Sequence, residues 1–412
     1  MHRTMKILFP YLARWDSANR SRYHQLLSQL CLLGHQVYVL KAPQMALGDI
    51  SFTDIESSAG SAPEGLTISE FTASPAMRRL WQAQIPKSKL LKKGLLSLSS
   101  VDQVRRFVDE EEIDLLMVYN LPQVRLLEQV DCHKHFDLAD DLIAMLAVES
   151  GLVGRAGALA AARYTQARML DLSDTVTVAS SVLAEQVDRP TFLLPNGADL
   201  EALSQANGVE WRAKHSGHWV GFVGAFEYWV DFELVLRLAR RLRKINFLLV
   251  GGGRLFPVIN QAVERHKLKN VYLTGPLPYD KAMDHMAAMD ICLIPFTRDE
   301  VSDGSCPLKL FEYAALRKPI ISTPIVEVER IGAGWVSFGY DTAEFADAIE
   351  NYLANPGLAT EAAATGRDLV EKVYNWPQLA QQFIELVTSA APAAPVPAIS
   401  NGFPVAPMAM KP

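Results

Sequence analysis

The chain has 412 residues, of which 49% are hydrophobic and 21% charged, with a formal net charge of −6. That length exceeds one ordinary core and suits two domains of about 150–200 residues each. The acidic balance argues against a general nucleic-acid binder, and no apolar run reaches the roughly 18 residues a membrane span needs.

Strand-like runs alternate with helical patterns along the chain. In the first half the predicted strands are 6–10, 36–40, 66–71, 113–119, 136–138, 175–179 and 192–195, with helices at 17–33, 101–111 and around 157–170. The start, Met1 to Lys6, leads into a strand rather than the apolar core of a signal peptide. The pattern restarts beyond 200–217. Strands are predicted at 219–223, 247–250, 271–273, 291–295 and 319–322, with helices at 232–243, 342–353, 358–373 and 377–388. Such a βαβ series predicts mostly parallel, doubly wound α/β sheets. The expected organisation is a Rossmann-like domain at 1–200 and a second at 201–375. A helix at 376–388 packs back toward the first domain, and 389–412 is a disordered Ala/Pro-rich tail. Ligands of open α/β sheets collect at the carboxyl ends of strands, so the inter-domain cleft is the expected site. Cys31, Cys132, Cys292 and Cys306 show no CxxC or metal-ligand spacing and read as reduced thiols of a cytoplasmic protein.

The most informative stretch runs from Pro307 to Thr323. It reads as a helix opening on proline and passing directly into a buried strand. Ser302, Asp303, Gly304 and Ser305 precede it as loop and cap residues. The unpaired amides and dipole of such a helix start favour an anion. Lys309 and Glu312, three residues apart, share one face near that end. A cation at an anion-ready helix start, with a carboxylate one turn deeper, suits a nucleoside diphosphate. The amides around Ser305, Pro307 and Leu308, with Lys309, would meet phosphates, and Glu312 the ribose hydroxyls. The plainer alternative is that Lys309 and Glu312 pair on a solvated surface.

Further segments complete a pattern: Lys6-Ile7-Leu8-Phe9, Phe136-Asp137-Leu138-Ala139-Asp140-Asp141, Leu194-Pro195-Asn196-Gly197-Ala198-Asp199, Val220-Gly221-Phe222-Val223-Gly224-Ala225, Leu249-Val250-Gly251, Asn270 to Gly275, and Asp290 to Phe296. With the Pro307 helix, their order and spacing resemble the GT-B glycosyltransferases, in particular the GT4-like group of bacterial surface and exopolysaccharide synthesis. The resemblance implies two facing Rossmann-like domains, a nucleotide-sugar donor held mainly by the second, and a glycan or lipid-linked acceptor held by the first. It implies no cofactor and no essential metal, and the second domain has no Asp-x-Asp that could hold a diphosphate's metal. Two departures stand out. Gly304, beside Asp303, occupies the place of a frequent sugar-binding Glu, and the Arg/Lys pair often found after the first strand of the second domain is missing from Ala225 to Asp231. Lys309 would supply charge in its place. A subgroup resembles this chain in having both Trp-Val-Asp and Pro-Leu-Lys-Leu-Phe-Glu-Tyr.

Individual residues carry paired readings. Asp140 and Asp141 follow a short buried strand; either can serve as general base for the acceptor hydroxyl, with Asp141 ahead, or as a helix N-cap. Gly224, Ala225 and Gly251 end second-domain strands and let backbone approach the diphosphate, whereas Gly252 and Gly253 read as turn residues. Tyr279, after Pro276-Leu277-Pro278, packs on the nucleobase or within an interface. Arg22 is a candidate for a phosphate, Arg20 reads as a solvated helix start, and His24 as a packed histidine. The acid-free stretch 72–100, with Arg78, Arg79, Trp81, Lys87, Lys89, Lys92 and Lys93 among leucines, suits an anionic membrane or a mobile charged loop. The expected activity is transfer of a sugar from the donor to an acceptor hydroxyl, at or near the inner face of the plasma membrane. A general base fits inversion, while the resemblance favours retention. An epimerase of the same fold, a non-catalytic binding subunit and a two-domain small-molecule binder are the rivals.

Overall fold

Ile7, Leu8 and Phe9 are fully buried. Their strand is internal to a sheet covered on both faces, which is why it reads as an unbroken apolar run. The computed structural model describes residues 3–13, 15, 20–43, 63–83, 89–149 and 155–389. In the first domain β1 (Lys6–Tyr11), β2 (Gln36–Lys41), β3 (Leu66–Glu70), β4 (Leu115–Val118), β5 (His133–Leu138), β6 (Thr175–Val178) and β7 (Phe192–Leu193) pair in the order β3-β2-β1-β4-β5-β6-β7. All pairs are parallel.

The second domain repeats the scheme with β8 (Trp219–Val223), β9 (Asn246–Val250), β10 (Val271–Leu273), β11 (Ile291–Ile294), β12 (Ile320–Ser322) and β13 (Val336–Phe338), in the order β10-β9-β8-β11-β12-β13. These pairs are also parallel. Strand order reverses between β1 and β4 and between β8 and β11. Those two switch points are where crevices open in such sheets.

Among the departures from the sequence expectation, one strand and one helix stand out. β13 was not expected; its three residues are too few to establish a period. The helix expected at 101 begins at Lys89 and runs to Glu110. Its inward stripe is Lys92, Leu96, Ser100, Val104 and Val108, all buried and four residues apart. Lys92 is therefore an inward-facing residue of the first domain rather than a surface charge. Residues 84–88 and the side chains of 81, 82 and 89–91 lie outside the described residues, as does the chain from 390 on.

The helix Trp376–Thr388 follows the second domain in sequence, yet Trp376, Leu379, Phe383 and Ile384 pack with Ile7, Phe9, Leu30 and Val39 of the first. The chain thus crosses between domains near Asn196 and again near Asn375. The crossings are joined side by side: Ala198 N–H donates to Tyr374 O at 3.0 Å and Trp376 N–H to Ala198 O at 3.2 Å. Gly197 sits in this joint, where a Cβ would lie 2.6 Å from Leu379 Cδ1 and 2.9 Å from the Tyr374 carbonyl. The four cysteines are free, and burial pushes the Cys292 and Cys306 thiols up to about 12.

Candidate active site

At the second switch point a cavity of about 270 Å3 opens against the carboxyl ends of β8, β9 and β11. Gly224, Ala225, Gly251, Tyr279, Leu308 and Lys309 line it, so most of the expected donor residues converge on one space. The floor is backbone because Gly251 has φ +135° and a Cβ there would stand 1.9 Å from the Gly224 carbonyl oxygen. Over that floor lies the amino end of the helix Leu308–Ala315, capped by Pro307 without a side-chain hydrogen bond. Its first amides are therefore left for solvent or a ligand.

Lys309 and Glu312 form an ion pair, the contact the plainer reading of their spacing expected, but in a buried setting rather than on a solvated surface. Glu312 is only 1% exposed and stands behind the cavity wall rather than on it. Its other oxygen, Oε1, accepts from the Tyr279 hydroxyl at 2.8 Å. Burial, followed by the charge of Glu312, holds the Tyr279 phenol well above its ordinary range, so it remains a donor. The carboxylate fixes two residues that do face the cavity, a tyrosine and a lysine. A carboxylate offers about four acceptor positions, so two are left.

A second space of about 260 Å3 adjoins the first, sharing the walls Trp229, Phe296 and Leu308. Asp140, Asp141, Asn196, Ser305, Cys306 and Pro307 also line it. The Trp-Val-Asp segment reaches this wall through a bridge between Val230 and Phe296, reinforced by Thr297 N–H to Trp229 O at 2.8 Å. In the sequence Trp229 and Phe296 fall within matching segments, but neither is given a place in the site there; the available signal was that Phe296 follows a buried strand at the switch point. Beyond Asp141 lies a larger polar cavity of about 650 Å3, with Arg163, Gln166, Gln186 and Arg189 in its lining.

The two aspartates divide the roles once weighed for both. Asp141 Oδ1 accepts from the amides of Ile143 at 3.1 Å and Ala144 at 2.8 Å, capping the helix Leu142–Glu149, and Oδ2 accepts from Gln186 at 3.2 Å. Asp140 carries no hydrogen bond among the described residues. Burial, then Asp137 and Asp141, raises its carboxyl above the ordinary value against the pull of Arg22 and Lys93. Both aspartates line this space, and of the two it is Asp140 whose carboxylate is without a hydrogen bond among the described residues, where the sequence put Asp141 ahead.

The arginines exchange places as well. Arg22 is 4% exposed and lines none of these three cavities. Its guanidinium grips Asp137 at 2.9 and 3.0 Å, and also reaches the Pro195 carbonyl at 3.0 Å and Asn196 Oδ1 at 3.1 Å. Burial alone would raise the Asp137 carboxyl; the charge and hydrogen bonds of Arg22, with Thr177, outweigh it and hold it below the ordinary value. Arg20, expected in solvent, lines the nucleotide-sized cavity and lies over the Tyr279 ring at 5.6 Å. His24 is packed, with Nε2 at 2.8 Å from the Trp15 carbonyl.

Paired parallel sheets whose switch points meet across a cleft, with a capless helix end over a glycine floor, define the GT-B class of glycosyltransferase fold. The comparisons agree. Residues 217–355 match the family model described as Glycosyl transferases group 1. The O-antigen chain mannosyltransferase C of Escherichia coli is 21% identical over 360 residues, covering 83% of this chain and 94% of that one. TuaH of Bacillus subtilis, assigned as a teichuronic acid biosynthesis glycosyltransferase, is 24% identical over 236 residues. That match spans 54% of this chain and 59% of TuaH, less than two thirds of that relative. Anabaena Alr3699/HepE, solved with UDP and glucose, superposes with a TM-score of 0.67 at 15% identity, covering 93% of this chain and 100% of that one. The chain thus has the GT-B fold, and its second domain is similar to the group 1 glycosyltransferases.

Proposed function

We propose that this glycosyltransferase moves a sugar from a nucleotide-sugar donor to a hydroxyl of a glycan or lipid-linked acceptor in bacterial polysaccharide assembly. The observation that carries the reading is the buried Glu312 holding Tyr279 and Lys309 at a glycine-floored cavity below an uncapped helix end. The nucleoside diphosphate lies against Gly224, Gly251 and the amides at Leu308. Glu312, behind the wall, acts on the ribose side of the donor through the Tyr279 hydroxyl and the Lys309 ammonium that it holds. The sugar extends past Trp229 and Phe296 into the adjoining space, toward Asp140. There Asp140 takes the proton of the attacking acceptor hydroxyl while the C–O bond to the diphosphate breaks. The polar cavity beyond Asp141 suits the rest of a glycan acceptor.

The names of the relatives, one an O-antigen transferase and one assigned to teichuronic acid, support an envelope polysaccharide as product. The HepE complex with UDP supports a uridine nucleotide as the first donor to test. Thermal-shift measurements against UDP-, GDP-, ADP- and dTDP-sugars test the reading, because a ligand of the native state raises its stability with the logarithm of concentration. Stabilisation by one nucleotide class is expected; indifference to all four would remove the proposal.

A membrane contact belongs to the same reading. Arg78, Arg79 and Leu80 are exposed on the helix Pro75–Gln82, and Leu95 and Leu98 on the next helix. Basic and apolar groups together suit the anionic inner leaflet. Cosedimentation with phosphatidylglycerol vesicles but not phosphatidylcholine vesicles is the expected result.

A further inference from the structure

Of the residues lining the nucleotide cavity, Arg20 and Lys309 are the charged ones. Lys309 is held by the buried Glu312, so that pair brings no net charge to the cavity. Removing Lys309 from it would strand a carboxylate with 1% exposure, which is costly. Arg20 has no ion pair among the described residues; its guanidinium rests on the Tyr279 ring. It comes from the other domain, just ahead of the helix Arg22–Leu32. That helix start is fixed two residues on, where Arg22 is bound to Asp137 and to the carbonyl of Pro195.

We infer that Arg20 is the cation that neutralises the donor's diphosphate, reaching across the cleft from the acceptor domain; this rests on the donor assignment proposed above. A guanidinium matches paired phosphate oxygens with parallel N–H donors, and it is weakly hydrated enough to sit on an aromatic ring until phosphate arrives. A bound donor then touches both domains at once, on the second through Gly251 and the Leu308 amides and on the first through Arg20. Charge on the leaving group is met only when the cleft is closed over it, which favours transfer over hydrolysis.

Calorimetry on the full chain tests this. UDP, GDP, ADP and dTDP are titrated first, and the best binder is compared with its own nucleoside. Arg20→Ala is expected to weaken the diphosphate by about 10- to 100-fold, the worth of a charge-assisted hydrogen bond. The nucleoside should bind as before. Arg20→Lys should recover part of the loss, since charge returns without the fork. Equal loss for nucleoside and diphosphate would make Arg20 a base-packing residue and overturn the inference. Unchanged diphosphate affinity in Arg20→Ala would overturn it too, while leaving the donor site standing. A wild-type chain that binds none of the four diphosphates would sink both readings.

Discussion

The Tyr279 hydroxyl donates to Glu312 Oε1 at 2.8 Å, while Lys309 occupies the other oxygen of the same carboxylate. One buried acid therefore sets the position of two residues on the donor cavity. Tyr279→Phe keeps the ring and loses the hydrogen bond, a net effect of about 1 kcal/mol. Donor affinity should fall about fivefold, by the usual conversion. Glu312→Ala leaves the Lys309 ammonium without its partner and frees the Tyr279 hydroxyl from its acceptor. Donor affinity should fall by about tenfold or more. Equal donor affinity in wild type and Glu312→Ala would take Glu312 out of the site.

Asp140 and Asp141 should separate cleanly. Asp140→Asn is expected to keep its melting temperature and donor affinity while turnover drops by about 10²–10⁴-fold, the usual worth of a general base. Only the ionised carboxylate can accept a proton. Burial and the two neighbouring aspartates raise its titration, so the acid limb of the rate should lie above the ordinary carboxylate value of 3.8. Asp141→Ala removes a helix cap, costing about 1 kcal/mol. That is a fall in melting temperature of about 2–4 °C. An Asp140→Asn enzyme with wild-type turnover would return the base to another group.

Acid should weaken the first domain in two stages. His135 is fully buried, with its ring nitrogens at 2.9 Å from the Thr175 and Thr177 hydroxyls. Burial lowers its pKa from 6.5 to about 3. The unfolded chain takes up a proton that the folded state resists, so this stability is complete above pH 6.5 and lost as pH falls toward 3. The slope is at most about 1.4 kcal/mol per pH unit. Asp137, held low by Arg22, adds a second loss only below its ordinary 3.8. Urea midpoints at pH 7, 5.5 and 4.5 should fall for wild type and flatten for His135→Gln. A variant with the wild-type slope would contradict this assignment.

Gly251→Ala tests the cavity floor. Its φ of +135° and the 1.9 Å approach of a Cβ to the Gly224 carbonyl leave no room without moving backbone. The expected cost is about 2 kcal/mol or more, with donor binding lost alongside. Circular dichroism melts and a donor titration on the same sample would expose a tolerant floor.

The fold was legible because most of its strands are apolar runs separated by turn chemistry. Trp219–Val223 and Val271–Leu273 stand where the sequence places them, and the Pro307 helix starts within one residue of expectation. Short-range spacing also exposed the Lys309 and Glu312 contact, since three residues apart on a helix is a local relation. What it could not supply was depth. Nothing in Lys-x-x-Glu says that the acid ends up behind the wall. Nor does periodicity distinguish Arg20 from Arg22, two positions apart at a helix start. Which of them enters the sheet depends on Asp137, more than a hundred residues away. Lys92 escapes a sequence reading for a related reason, because a lysine can bury its apolar stem at the end of an inward stripe such as the one through Leu96 and Val104.

The placement of Trp376–Thr388 against β1 and β2 has a consequence for biosynthesis. As the amino-terminal half leaves the ribosome, one face of its sheet is covered in part only, by the helix Arg22–Leu32. Ile7, Phe9 and Val39 wait until the whole second half has been made and Trp376, Phe383 and Ile384 can be delivered. Nascent chains halted near the mid-point would present that greasy surface to chaperones, and the last helix acts as the clasp that completes the first-made half.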